Sequence, residues 1–166
     1  MKQGIERAVD MVGRVASWLA LVIVVLMAVN VVLRYLFSIG SVWAQELEWH
    51  LLAPLILFGI PYALLKGEHV RVDVLYAGFS ERNQLVVDVV SQVLGILIAA
   101  AFVWLSLAYV QQSFEIGETS PDPGGLEYRW LLKALIPAGF VLLALQSFAT
   151  LLGAFARLRA LRKSAP

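Results

Sequence analysis

One stretch decides the fold: WAQELEWHLLAPLILFGIPYALLKGEHVRVDVLY, residues 43–76. It carries no formal charge between Trp49 and Leu65, and an apolar run of about that length can cross a bilayer as a helix. The chain enters the run through Glu46 and Glu48 and leaves it through the mixed segment HVRVD. Because the two ends of a spanning helix lie in different compartments, we expect functional contacts at these ends.

Three further runs lack a formal charge, at residues 15–33, 89–114 and 134–156. Hydrophobic residues make up 60% of the 166 residues and charged residues only 15%, which is unlike the balance of a soluble domain. We therefore predict an all-α integral membrane protein that forms a single membrane domain over residues 1–166. The four predicted transmembrane spans are about 15–37, 47–65, 84–114 and 132–156.

The basic residues are distributed unevenly around these spans. Insertion holds Lys and Arg on the cytoplasmic side, so we expect both termini in the cytoplasm and the first and third loops outside. A cleavable signal peptide is the alternative for the first run, but its length and the lack of a small-x-small pattern before Arg34 favour a retained anchor. Of the 13 Lys and Arg residues, those assigned to the cytoplasmic side are Lys2, Arg7, Arg14, Lys66, Arg71, Arg82, Arg157, Arg159, Arg162 and Lys163.

The connecting segments also carry local signals. Residues 41–48 mix apolar and polar side chains at helical spacing, which predicts a short interfacial amphipathic helix before the second span. Inside that span, Pro54 and Pro61 each remove a backbone donor, and we expect a kink or a loosened hydrogen-bond ladder. Ser80 is expected to cap the third helix. The outer segment 113–130 contains two prolines and a glycine pair and should form a shaped turn.

The apolar runs of the spans contain no ionisable residue. Such groups at membrane depth usually mark ion or substrate paths, so we expect no path within this chain alone. An autonomous small homo-oligomeric transporter or channel is the alternative function, and it would require a charged stripe along one span. Uncharged polar residues more often bond to neighbouring helices, and those considered are Ser91, Gln92, Ser106, Gln146 and Thr150.

No catalytic, cofactor-binding or metal-binding residue is expected. The chain has no cysteine, which excludes disulfide exchange and thiolate-bound metal. Its two histidines, His50 and His69, fall near opposite faces of the membrane and so cannot ligate one haem iron. There is no basic patch that would predict a nucleic-acid partner.

Asn30 and Arg34 are one helical turn apart near the outer end of the first span, so they share a face. Two interpretations of Arg34 stay open. It reaches lipid headgroups, or it pairs with Glu46 or Glu48 and joins the first two helices.

His69, Arg71 and Asp73 alternate with valines beyond the inner end of the second span. This alternation is typical of a segment that lies flat with one apolar side. It indicates either a solvated loop or a surface that docks on a partner or on lipid headgroups.

Three segments in order resemble a known family: NVVLRYLF at 30–37, WAQELEW at 43–49 and GEHVRVDVLY at 67–76. With four spans and both ends inside, the chain resembles the small membrane subunit, DctQ type, of tripartite ATP-independent periplasmic (TRAP) transporters over nearly its whole length. One departure is FGIPY, where relatives often have Gly followed by Ala before Tyr62. Pro61 leaves the helix contact at this point open.

The resemblance implies a non-enzymatic subunit, without cofactors, of a sodium-coupled uptake system in the bacterial inner membrane. A periplasmic binding protein would capture an organic acid and meet the outer loops. A large multi-span subunit would carry the substrate and sodium sites, and this chain would scaffold it and contact phospholipid. The candidate interface or structural residues are Asn30, Arg34, Trp43, Glu46, His69, Arg71 and Asp73.

Overall fold

The computed structural model describes residues 1–68 and 76–164, with side chains up to Ala160. This part of the chain is helical and contains no strand. Each helix is long and apolar enough to cross a membrane, which confirms the all-α class and the four candidate spans. The helices are α1 (Lys2–Phe37), α2 (Val42–Lys66), α3 (Glu81–Glu115) and α4 (Arg129–Ser164).

The helices extend beyond the apolar runs that predicted them. α1 begins at Lys2 rather than near residue 15, and α4 continues past residue 156 to Ser164. An apolar run marks only the part of a helix that lies in hydrocarbon, whereas Lys, Arg and Glu continue the helix well in water. At about 1.5 Å per residue, α1 spans about 54 Å, well beyond the roughly 30 Å hydrocarbon core.

The helix ends are capped by residues that the sequence marks. The Ser41 hydroxyl accepts a hydrogen bond from Ala44 N at 3.2 Å, and the Ser80 hydroxyl accepts one from Asn83 N at 3.4 Å. α2 ends at Gly67 with φ 77°, the left-handed conformation that glycine adopts without steric cost. The predicted cap at Ser80 is confirmed.

α2 is one helix from its first residue to its last. Residues 41–48, predicted to form a separate interfacial helix, supply its cap and first turns, and a separate helix is not seen in the described residues. The helix also passes through Pro54 and Pro61 without ending. Glu46 and Glu48 therefore belong to α2, and the direction in which each side chain points is set by that helix.

α4 is the central helix of the bundle. It contacts α1, α2 and α3, while α1 packs mainly on α2 and α3 packs mainly on α4. Two glycines allow close approach: a Cβ at Gly13 of α1 would overlap the Cβ and ring of Tyr62, and a Cβ at Gly139 of α4 would lie 2.8 Å from the Cβ of Leu57. The contact beside Pro61 is thus a close approach of α1 and α2 at Tyr62.

In α1 and α3, most buried residues recur at a seven-residue interval, the repeat of a coiled coil. Most of them are small or polar, as expected where lipid removes the hydrophobic drive between helices. Gln92, Ser106 and Gln146, interpreted from the sequence as packing residues, are all buried. The repeat comprises Val9, Ala16 and Ile23 in α1 and Leu85, Gln92, Ala99, Ser106 and Ser113 in α3.

The helices alternate in direction, so the bundle has two ends. We call one the terminal end, because it holds the first turns of α1 and the last turns of α4. There the Nζ of Lys2 lies 3.0 Å from the position of a Cβ on Gly153. We call the other the far end, which holds the connections 38–41 and 116–128.

Candidate functional site

The far end is organised around the carboxylate of Glu46. This side chain is only 4% exposed, and it is the buried charged residue of the described part of the chain. Its two oxygens accept hydrogen bonds from the backbone N–H of Leu126, at 2.6 Å, and from the hydroxyl of Ser120. Both donors belong to the connection between α3 and α4. Glu46 therefore fastens that connection to the start of α2.

The connection 116–128 folds back on itself around this carboxylate. Ser120 N donates to Leu126 O at 3.1 Å, and Gly124, with φ 81°, supplies a left-handed turn between them. A Cβ at Gly125 would overlap Ser120 and lie 2.7 Å from the Oε2 of Glu46. The sequence predicted a shaped turn here, and the structure shows that it is shaped to receive an acid from another helix.

A second contact ties the same connection to α4. Lys133 forms an ion pair with Glu118, and its ammonium lies 3.9 Å from the ring centroid of Tyr109 in α3. The hydrogen bond from Lys133 holds the pKa of Glu118 below its usual range. Together with Arg129 these side chains line a cavity of about 370 Å³. The far end of α3 is thereby joined to the start of α4.

The other residues predicted for this end are placed differently. Asn30 donates to the carboxylate of Glu48 at 3.3 Å, which joins α1 to α2. Arg34 is exposed, and within the described residues it forms no ion pair with Glu46 or Glu48. Trp43 is 48% exposed on the surface of α2. Both acids are engaged elsewhere, so the guanidinium of Arg34 stands at the surface.

At the terminal end, Asp10 joins α1 to α2. Its carboxylate oxygens lie 2.6 Å from the Nζ of Lys66 and 2.7 Å from the Nε of Arg14. Lys66 also stands 5.1 Å from the ring centroid of Tyr62, the residue that packs on Gly13. The charge pair and the close helix approach therefore hold the same two helices.

Three candidate residues beyond the inner end of the second span lie outside the described residues: His69, Arg71 and Asp73. Sequence inspection missed Asp10, because its partner is 56 positions away and the spacing gives no sign of the pairing. It also missed Ser120 and the Leu126 amide as partners of Glu46. The one signal in the sequence was the position of Glu46, an acid in the first turns of a membrane helix. An acid at this position needs a partner from another segment.

The contacts of charged side chains lie at the two ends, and the polar side chains that are buried in the described spans between them are uncharged. Among residues 1–68 and 76–160, no group of three or more His, Asp or Glu side chains is placed to hold a metal ion. The geometry can position the helices and the far-end connection, because the contacts Asp10–Lys66, Asn30–Glu48 and Glu46–Leu126 each join two different elements.

Residues 23–157 match the family described as tripartite ATP-independent periplasmic transporters, DctQ component. The chain belongs to this family. A protein of Haemophilus influenzae with the provisional name TRAP transporter small permease protein is 31% identical to this chain over 123 residues, which cover 70% of this chain and 74% of that relative. The resemblance drawn from the sequence is confirmed. This DctQ protein is a TRAP transporter small permease subunit, a multi-pass membrane protein.

Proposed function

We propose that this DctQ protein is the scaffold of a sodium-coupled, binding-protein-dependent uptake system for an organic acid. In this proposal a large multi-span subunit carries the substrate and sodium sites and moves its transport elements against the four helices. A periplasmic binding protein delivers the substrate and meets the far end transiently. The chain itself is non-catalytic and uses no cofactor.

One observation carries the proposal. Among the described residues, the ion pairs and the hydrogen bonds of charged side chains lie at the two ends of the bundle, and no charged residue is buried in the spans between these ends. A transport path needs groups that bind the substrate or ion at membrane depth. A frame needs helices fixed to one another at both faces. The contacts of Glu46 at one end and Asp10 at the other meet the second requirement.

The exposed apolar surface supports the same proposal. Large hydrophobic side chains are exposed along all four helices, for example Trp18 at 69% and Trp104 at 78%. Lipid or a second membrane subunit must cover this surface. In the proposal the large subunit covers part of it, and Arg34 and Trp43 help to fix the outer end of that contact.

The proposed orientation puts both termini in the cytoplasm of a cell with an inner membrane, on the basis of the uneven Lys and Arg distribution. The absence of native cysteine makes a direct test possible. Gly4 and Gly40 have no neighbouring atom within 4 Å of an added Cβ and lie at opposite ends of the bundle. A membrane-impermeant maleimide should label Gly40→Cys in spheroplasts and Gly4→Cys only after permeabilisation. The reverse pattern would overturn the orientation.

The scaffold role is tested by co-expression with the large subunit of the same transporter. A tag on this chain should recover both subunits in one monodisperse complex, and sodium-dependent uptake into proteoliposomes should require both subunits and the binding protein. Uptake by this chain alone would overturn the proposal and restore the autonomous transporter or channel.

A further inference from the structure

The terminal end contains a cleft of about 360 Å³ that lies among all four helices. Lys2 of α1 and Arg157 of α4 line it near the helix ends, and Gln146 lines it about three turns before Arg157 along α4. Its volume falls within the roughly 300–1,000 Å³ of ligand sites and far exceeds the about 30 Å³ of one water. The cleft therefore has room for a ligand.

Gln146 makes the interior of this cleft polar. Its side chain is 1% exposed, and its Nε2 donates to the hydroxyl of Thr150 at 3.3 Å. Its Oε1 has no hydrogen-bond partner within the described part of the chain. A buried acceptor that lacks a donor is costly, and an acyl chain has no donor to offer. The cleft is suited to water or to a polar group rather than to hydrocarbon.

The charges at the cleft favour an anion. Lys66 is paired with Asp10, and Lys2 lies 3.6 Å from a carboxylate oxygen of Glu6. Arg157, by contrast, has no hydrogen bond or ion pair among the described residues. A guanidinium presents a planar fork of donors that matches a phosphate group. Among the described lining residues, the charged side chains are the cations Lys2, Lys66 and Arg157 and the acids Glu6 and Asp88.

We propose that this cleft binds the headgroup of an anionic phospholipid, with its phosphate held by Arg157 and Lys2. Water in the deeper part of the cleft then donates a hydrogen bond to the Oε1 of Gln146, and further waters continue from there to the phosphate. Phosphatidylglycerol offers such a phosphate without the headgroup cation that phosphatidylethanolamine carries. Basic pockets between membrane helices on the cytoplasmic side are a recurrent setting for such headgroups. The assignment to the inner leaflet rests on the proposed function and its orientation, whereas binding to the isolated chain does not.

The test uses the purified full chain, stripped of lipid and then supplied with phosphatidylglycerol, phosphatidylethanolamine or inorganic phosphate. Native mass spectrometry should show phosphatidylglycerol retained, with the other two retained much more weakly. Arg157→Gln should weaken phosphatidylglycerol binding about tenfold, the loss expected for one charge-assisted contact. Arg159→Gln is the matched control, because Arg159 is exposed on the same helix and does not line the cleft. It should leave binding unchanged.

The outcomes separate the possible sources of the effect. Equal losses from the Arg157 and Arg159 variants would mean general attraction to a basic tail and would overturn the site. Equal retention of inorganic phosphate would mean a site for a free anion and would overturn the lipid assignment. Gln146→Leu removes the deep acceptor and should also reduce retention, so unchanged binding in that variant would contradict the role of Gln146.

Two controls keep these outcomes clear. Far-UV circular dichroism in phosphatidylethanolamine checks that each variant remains helical, and Arg157→Lys should recover part of the binding. Because the measurement needs neither the large subunit nor transport, its failure leaves the scaffold proposal intact. Failure of the scaffold proposal, in turn, shows in the co-expression experiment and not in lipid retention.

Discussion

Replacing Gly13 by alanine should weaken the contact between α1 and α2. The added Cβ would overlap the Cβ and ring of Tyr62, and the Cβ of Tyr62 is fixed to the backbone of α2. No side-chain rotation relieves that overlap, so the two helices must separate. Overpacking of this kind costs about 1–3 kcal/mol, while exchanging Gly for Ala inside a helix stabilises it by about 1 kcal/mol. We expect the free energy of unfolding to fall by about 0–2 kcal/mol.

Gly4→Ala is the matched control. Gly4 lies in the same helix, and nothing stands within 4 Å of its added Cβ. This variant should be about 1 kcal/mol more stable, because it has the same gain in helix propensity without the overlap. The difference between the two variants, about 1–3 kcal/mol, isolates the steric effect at Tyr62.

The measurement is equilibrium unfolding of the purified protein in mixed micelles, followed by far-UV circular dichroism. Adding Tyr62→Ala to Gly13→Ala removes the ring and should recover part of the loss, which a double-mutant cycle would show as a favourable coupling. If Gly13→Ala proves as stable as Gly4→Ala, the close approach of α1 and α2 is refuted.

Three further predictions concern the far end. Glu46→Gln keeps one acceptor oxygen but points an NH₂ donor at the donors of the connection 116–128, so hydrogen exchange at the Leu126 amide should become faster. Unchanged exchange would contradict the role of Glu46 in holding this connection. The pKa of Glu118 is lowered in the folded protein, so its ion pair with Lys133 stabilises the fold fully at pH values above the ordinary pKa of about 4.3. This stabilisation is lost as the pH falls through the lowered pKa of the folded state. Lys133→Met should remove this acid-dependent decrease in melting temperature, and a decrease of the same size in the variant would exclude the pair as its cause. Arg34→Gln changes an exposed side chain, so the free energy of unfolding should change by less than about 0.5 kcal/mol. Co-purification of the large subunit with this variant should nevertheless decrease. Full recovery of the large subunit would show that Arg34 is not part of the proposed interface.

The number of membrane-spanning helices could be predicted from the sequence, because a bilayer demands long apolar runs whatever their partners. The cap at Ser80 was equally local, since a serine before an acidic first turn is recognised without tertiary information. The start of α1 at Lys2 was missed, because the apolar run ends where hydrocarbon ends and the helix does not.

Helix pairing could not be predicted in the same way. In a soluble bundle the apolar stripe shows which face packs, but these helices are apolar on nearly every face, so that signal is lost. The remaining signal is the seven-residue recurrence of small and polar residues, such as Gln92, Ala99 and Ser106 in α3. The partners of Glu46 could not be predicted from the sequence for another reason. One is a backbone N–H 80 positions away, and a backbone group has no identity in the sequence.

The end contacts and the glycine approaches do different things for the bundle. Exposed ion pairs contribute about 0–1 kcal/mol, and hydrogen bonds between membrane helices average about 0.6 kcal/mol, so the pair of Asp10 and Lys66 adds little stability. A one-turn slip of α1 along α2, about 5.4 Å, would nevertheless separate that pair and also move Gly13 away from Tyr62. Small residues therefore supply the close packing, and the charged contacts select the register in which it occurs. In the proposed scaffold role, a frame that holds its shape while the large subunit moves requires a single register more than it requires high stability.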